Sequence, residues 1–163
     1  MGGVFDAAVR RGNEGIEDLY RERRDELWRA LLAYSGDPEL AADAVAEAFA
    51  QALRRGEALR SPLRWIWKAA FRIAAGEMKD RRRVRHVDDV PYQMPDPATD
   101  LLQAIATLSP KQRAATVLHY YVGYPAKDVA QIIGSTPGAV RVHLSVSRRR
   151  LRALLRGREE LDG

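Results

Sequence analysis

The stretch Asp128-Val-Ala-Gln-Ile-Ile-Gly-Ser-Thr-Pro-Gly-Ala-Val-Arg141 decides the fold. Within it, Ala130, Gly134 and Val140 have the spacing of a helix-turn-helix. The small Ala130 lets two helices come close. Gly134 takes the left-handed turn that a Cβ disfavours. Val140 anchors the second helix in the core. Thr136-Pro137 opens that helix, a hydroxyl cap followed by a proline whose missing N–H does no harm in the first turn. The second helix turns Val140, Leu144, Leu151 and Leu154 inward. It turns Arg141 and Arg148-Arg149-Arg150 outward, which suits a recognition helix in a DNA major groove.

The same punctuation recurs upstream. Val129, Ala130, Ile132 and Ile133 mark the helix before the turn. Ser109-Pro110 caps another, with Ala114, Leu118 and Tyr121 inward and Gly123 at its end. Leu101, Leu102 and Ile105 form a short helix before that. Residues 84–100 break the period: they hold Pro91, Pro95 and Pro97 with Asp88, Asp89 and Asp96, a composition that reads as an extended linker.

Three amphipathic helices precede the linker. The first runs from Glu14 to Tyr34, with Ile16, Leu19, Tyr20, Leu27, Leu31 and Tyr34 near one stripe, and Ser35-Gly36 stops it. Asp37-Pro38 starts the second, whose apolar face is Ala41, Ala44, Val45, Ala48, Phe49, Ala52 and Leu53, and Gly56 ends it. Ser61-Pro62 starts the third, with Leu63, Ile66, Trp67, Ala70, Ile73 and Ala74 inward. A further short helix is expected from Phe5 to Arg11. The expected fold is therefore all-α, with two small helical domains. A three- or four-helix bundle spans 1–86, an acidic, proline-containing linker spans 87–100, and a helix-turn-helix domain spans 101–163.

A length of 163 residues fits one medium domain or two small ones. The absence of Cys excludes disulfides, thiolate zinc sites and a cysteine nucleophile, and it suits a cytoplasmic chain. No run approaches the ~18 apolar residues of a membrane span. Met1-Gly-Gly-Val-Phe-Asp has no cationic start and no apolar core, so neither a secretory signal nor membrane insertion is expected.

The net charge of +5 is unevenly spread. Residues 61–86 and 108–163 each carry +6, while residues 1–60 carry −3 and residues 87–107 carry −4. Two basic blocks around an acidic spacer point to two contacts with a polyanion. In the first block, Trp65, Trp67 and Phe71 lie beside Lys68 and Arg72. Aromatic planes next to cations suit unstacked bases of single-stranded DNA. Two Trp at a spacing of two cannot share one buried face, so one belongs to the core with Ile66 and the helix's other side is left to stack on DNA. Lys79, Arg81, Arg82, Arg83 and Arg85 fall on changing faces, which suits phosphates rather than bases.

Asp43 and Glu47 are i, i+4 carboxylates on the edge of an apolar helix, with no nucleophile or metal ligand beside them. His86, His119 and His143 sit in separate elements without a His-x3-His pair. His119 reads as a packed helix residue. No metal, cofactor or catalytic constellation is expected, so the chain reads as a binding protein rather than an enzyme.

Residues 101–155 resemble the C-terminal domain, region 4, of extracytoplasmic-function (ECF) sigma factors of bacterial RNA polymerase. The matching strings are Leu108-Ser-Pro-Lys-Gln-Arg, Tyr120-Tyr-Val-Gly, Asp128-Val-Ala, Gly138-Ala-Val-Arg and Ser147-Arg-Arg-Arg-Leu. Residues 5–83 resemble region 2 through Arg11-Gly-Asn-Glu, Asp18-Leu-Tyr, Asp43-x-Val-x-Glu-x-Phe and Trp65-Ile-Trp-Lys-Ala-Ala. The resemblance implies a dissociable polymerase subunit that directs core enzyme to promoters and starts transcription. Region 2 would open and read the −10 element with Trp67, Lys68, Phe71, Arg72, Lys79, Arg81, Arg82 and Arg83. Region 4 would read the −35 element with Thr136, Arg141, His143, Ser145, Arg148 and Arg149. Asp43 and Glu47 would face basic groups of the β′ clamp helices, and region 4 would meet the β flap. The family commonly has an anti-sigma partner.

Several residues depart from the family's pattern. Ala46 stands where Gln is usual, Arg72 where Asn is common and Gly76 where Asp is common. Ala139, Val142, His143 and Val146 replace polar or basic residues of the recognition helix, and Pro125 replaces a Ser cap. These changes leave the fold intact and bear on which promoter is preferred. The alternative reading is a helix-turn-helix regulator that binds DNA without being a polymerase subunit.

Overall fold

The computed structural model describes residues 3–84 and 97–162, with side chains from Glu14 onward except at 57, 82–84, 97–99 and 162. Helix α1 spans Gly3–Ser35, α2 Pro38–Arg55 and α3 Pro62–Val84, with a 3-10 turn over Gly56–Ala58. Helix α4 spans Pro97–Ala106, α5 Pro110–Thr116, α6 Ala126–Ile133 and α7 Pro137–Asp162, and a π turn spans Val117–Val122. The described residues contain no strand. The all-α expectation holds. The short helix expected over Phe5–Arg11 is the start of α1.

The capping signals act where the sequence puts them. Asp37 accepts hydrogen bonds from the Glu39 and Leu40 amides, and Pro38 opens α2. Ser109 and Gln112 form a reciprocal capping box at α5. Gly36, at φ 70°, follows α1, and Gly123, at φ 93°, ends the π turn.

Leu27, Leu31, Ala44, Ala48, Ile66 and Ala70 form the centre of the α1–α2–α3 bundle. Small side chains along α2 let the three helices approach closely. In the second block, Leu118, Val129, Ile132, Val140 and Leu144 pack together. The two blocks join in one continuous core. Across their seam, Trp67 meets Tyr124 edge-on at 6.2 Å, and Arg113 donates to the Tyr34 carbonyl at 2.9 Å.

Three local expectations need correction. Residues 97–100, expected in the linker, form the first turn of α4. Asp96-Pro97 repeats the Asp37-Pro38 signal that opens α2. The linker residues 87–96 lie outside the described residues. Tyr121, expected inward, is 50% exposed. The wider i→i+5 turn over Val117–Val122 shifts the phase that a 3.6-residue period would give it. Leu154, also expected inward, is 43% exposed: it lines an open groove between α7 and α4 and is not sealed into the core.

Candidate nucleic-acid interface

The turn between α6 and α7 is built as its spacing requires. Gly134 adopts φ 66° and ψ 46°, and its N–H closes on the Ala130 carbonyl. The Ser135 amide reaches the same carbonyl at 2.9 Å. The Thr136 hydroxyl accepts from the Ala139 amide at 3.1 Å and so caps α7. Val140 is fully buried, and one residue on Arg141 is exposed. Ser147 is buried too. Its hydroxyl donates to the His143 carbonyl at 2.7 Å and to the Gln112 carbonyl of α5 at 3.4 Å. These contacts fix how α7 rotates about its axis, and therefore which side chains face outward.

Arg148, Arg149 and Arg150 are exposed, while His143 and Ser145 are half-buried. Arg148, Arg149, Arg152 and Arg156 line a trough of about 600 Å³ with Ser145 and Ala153. Arg152 and Arg156 were not singled out in the sequence, although their i+11 and i+15 offsets from Arg141 put them on its face.

The second basic surface lies on α3. Lys68 and Arg72 are exposed one turn apart, and Lys79 is exposed further along. Lys68, Arg72 and Lys111 of α5 rim a cleft of about 390 Å³ floored by Phe71, Ile132 and Ile133. Trp67 and Phe71, expected to stack on bases, are only 1% and 4% exposed. Both belong to the core: Phe71 lies 5.0 Å from the Tyr34 ring, and Tyr124 covers Trp67. Trp65 is the half-buried member of the pair, with the Arg55 guanidinium 5.1 Å above its ring. Around it, Arg55, Arg60, Arg64 and Lys68 line a broader cleft of about 680 Å³. Arg55 and Arg60 carry no sequence motif that would have pointed to them.

Arg81, expected on phosphates, instead pairs with the cap residue Asp37. The capping carboxylate that opens α2 leaves one oxygen for a cation, and α3 supplies it. The Arg82 and Arg83 side chains lie outside the described residues.

Asp43 and Glu47 are exposed on α2. Glu47 accepts from Gln51 at 3.0 Å and from Arg54 at 3.0 Å. These hydrogen bonds hold its carboxyl below the usual value, with the Arg54 charge adding to them. His119 is half-buried, its Nδ1 2.8 Å from the Tyr124 carbonyl oxygen. Among the described residues no helix is long and apolar enough to cross a membrane.

Residues 98–151 match the family described as "Sigma-70, region 4". The chain is 28% identical over 159 residues to an RNA polymerase sigma-E factor of Streptomyces antibioticus, covering 90% of this chain and 84% of the relative. It is 29% identical over 153 residues to the ECF RNA polymerase sigma factor SigL of Mycobacterium tuberculosis, covering 84% of this chain and 86% of that one. The fold resembles the sigma factor RpoE of Bartonella quintana, solved in complex with the anti-sigma factor NepR. There the TM-score is 0.76 at 20% identity, over 88% of this chain and 98% of that one.

Proposed function

We propose that this chain, which belongs to the ECF group of the sigma-70 family, brings core RNA polymerase to specific promoters and starts transcription there. The observation that carries the reading is the capped α7. It leaves the Gly134 turn with Val140 anchored and Arg141 free at the start of the helix. An arginine at that position reaches base edges or adjoining phosphates of a major groove, where bidentate contact with guanine gives sequence preference. Thr136, His143, Ser145, Arg148 and Arg149 complete this −35 contact.

The −10 element is read by α3. Lys68, Arg72 and Lys79 hold the strand, Arg82 and Arg83 add phosphate contacts, and the Trp65 side of the helix offers the ring that Trp67 does not. Asp43 and Glu47 dock on basic groups of the β′ clamp helices, and region 4 meets the β flap. An anti-sigma factor is a further partner, as for the Bartonella relative. The protein works by binding, without catalytic chemistry of its own, and works in the cytoplasm.

Run-off transcription with purified core enzyme on a promoter library tests this. Transcripts that begin at defined sites only when the chain is added are the expected result. Binding of promoter DNA without core association, and no added transcripts, would instead favour the helix-turn-helix regulator.

A further inference from the structure

Five exposed arginines form one rail along α7. At 100° per residue, Ser145, Arg148, Arg149, Arg152 and Arg156 lie about 40°, −20°, 80°, 20° and 60° around the axis from Arg141. All sit within a strip about 100° wide. Val140, Leu144, Ser147 and Leu151 occupy the side that packs on the core. Arg150 lies about 180° from Arg141, off the rail.

These arginines differ from the others nearby. Arg64 pairs with Asp128, Arg81 with Asp37, Arg54 with Glu47 and Arg158 with Asp100. Among the described residues, none of Arg141, Arg148, Arg149, Arg152 and Arg156 pairs with a carboxylate within 4.0 Å. Glu159, next along the strip, makes no ion pair with Arg156 and ends the rail. Arg152 stands i+4 from Arg148, i+3 from Arg149 and i−4 from Arg156. Like charges at these spacings destabilise a helix. Stability therefore does not explain the rail, whereas a polyanion does.

The length of the rail identifies which atoms it meets. Arg141 and Arg156 are separated by about 22 Å along the axis. A DNA half turn rises only about 17 Å, and over that rise the major groove swings to the opposite side of the duplex. A straight helix whose first turns sit in the groove has left it before Arg156. Its last arginines then lie over the sugar-phosphate wall.

We propose that Arg152 and Arg156 are DNA-binding residues, which extend the contact of α7 from the base edges beneath Arg141 onto the phosphates flanking them. The proposal rests on the promoter-binding reading, but its test needs no polymerase. Phosphate contacts release counterions and carry no sequence information, so a duplex of random sequence is the probe. The full chain, the R152A/R156A double variant and an R150A control are titrated with that duplex at a series of salt concentrations.

The double variant should lower the slope of log affinity against log salt by about 2. Between about 50 and about 200 mM salt, the wild type should then lose about tenfold more affinity than the variant. R150A should keep the wild-type slope, and the double variant should melt at the same temperature or higher. An unchanged slope, an equal drop in R150A, or a lower melting temperature in the double variant overturns the proposal. A wild-type chain that does not bind the duplex overturns the rail, while the promoter reading still stands or falls with the core-enzyme transcription test. A slope that falls as expected, in a chain that adds no transcripts to core enzyme, overturns only the sigma reading.

Discussion

Arg64 of α3 and Asp128 of α6 meet at 3.0 Å across the seam between the two helical blocks. Arg64 also donates to the Gln131 side chain at 3.0 Å. Arg64 and Gln131 line the cleft that holds Lys68, so these contacts bring the helix-turn-helix beside the basic face of α3. The side chains of Arg64 and Asp128 keep 44% and 21% of their exposure, and water screens such a pair to about 0–1 kcal/mol. A double-mutant cycle with Arg64→Ala and Asp128→Ala, read by urea denaturation, should give a coupling of less than about 1 kcal/mol that shrinks as salt rises. A coupling of several kcal/mol would make this pair, rather than the apolar seam, the main tie between the blocks.

Arg113 is the stronger tie. Only 5% exposed, it donates to the carbonyls of Tyr34, Ala106 and Leu108, and its guanidinium lies 5.8 Å from the Tyr34 ring centre. It thus satisfies carbonyls in the last turn of α1 and at and just beyond the end of α4 at once. Arg113→Ala should cost roughly 3 kcal/mol, because it strands buried acceptors as well as removing charge-assisted bonds. Arg113→Lys should recover only part of this, since one ammonium cannot span the carbonyls that the guanidinium fork reaches. Thermal unfolding of the two variants measures both effects. Stabilities within about 0.5 kcal/mol of wild type would remove Arg113 from this role.

Asp43 and Glu47, proposed to dock on the polymerase, allow a test with a pH arm. Asp43→Arg with Glu47→Arg should weaken association with core enzyme and leave helicity unchanged, because the buried stripe of Val45, Ala48 and Phe49 is untouched. Gln51 and Arg54 lower the Glu47 pKa, so its charge persists as pH falls through the usual carboxylate range. Its contribution to docking should be lost only below that range. Core binding measured by fluorescence anisotropy across acid pH checks this. Tight binding by the charge-reversed variant would move the docking face elsewhere, and Ala46 in place of the usual Gln gives a reason to look.

Much of this architecture could be read locally. Asp37-Pro38, Ser109-Pro110, Thr136-Pro137 and Gly134 each act through neighbours within about five residues, so the sequence alone reveals them. Contacts between distant residues do not show in a periodicity. Arg81 and Asp37 are 44 residues apart, and Arg113 and Tyr34 are 79 apart. Their pairing depends on how whole helices cross. For the same reason the two Trp of α3 could not be told apart: Tyr124, from the other block, covers Trp67 and leaves Trp65 at the edge. The rail on α7 was hidden differently. The run Arg148-Arg149-Arg150 drew attention to consecutive residues, whereas the face is set by steps of three and four.

If the two helical blocks are separate folding units, they should show a characteristic proteolysis pattern. A broad-specificity protease at low dose should cut first between Arg85 and Leu101, in the acidic, proline-containing segment. Because the blocks share a core through Trp67, Tyr124 and Arg113, the two fragments should stay together in gel filtration. Cleavage first inside α2 or α5, with the segment intact, would count against two units.

The last prediction concerns base reading. Arg141 follows buried Val140, and the capped Thr136 fixes the helix start one turn earlier. If its guanidinium forks onto O6 and N7 of a guanine, Arg141→Ala should cost about 1–3 kcal/mol on the preferred site. It should also relax selection at that one base pair. Ala139, Val142, His143 and Val146 stand where the family often carries polar or basic groups. Val142 is 62% exposed and free to meet a thymine methyl. The −35 sequence selected from a random promoter pool by core enzyme with this chain should therefore differ from the family's common one and be richer in thymine beside the Arg141 position. Removing one later arginine, such as Arg149, should weaken all sequences alike and lower the salt slope by about 1. Recovery of the common family sequence, with Arg141→Ala leaving the selected bases unchanged, would show that Arg141 grips a phosphate and that recognition lies elsewhere on α7.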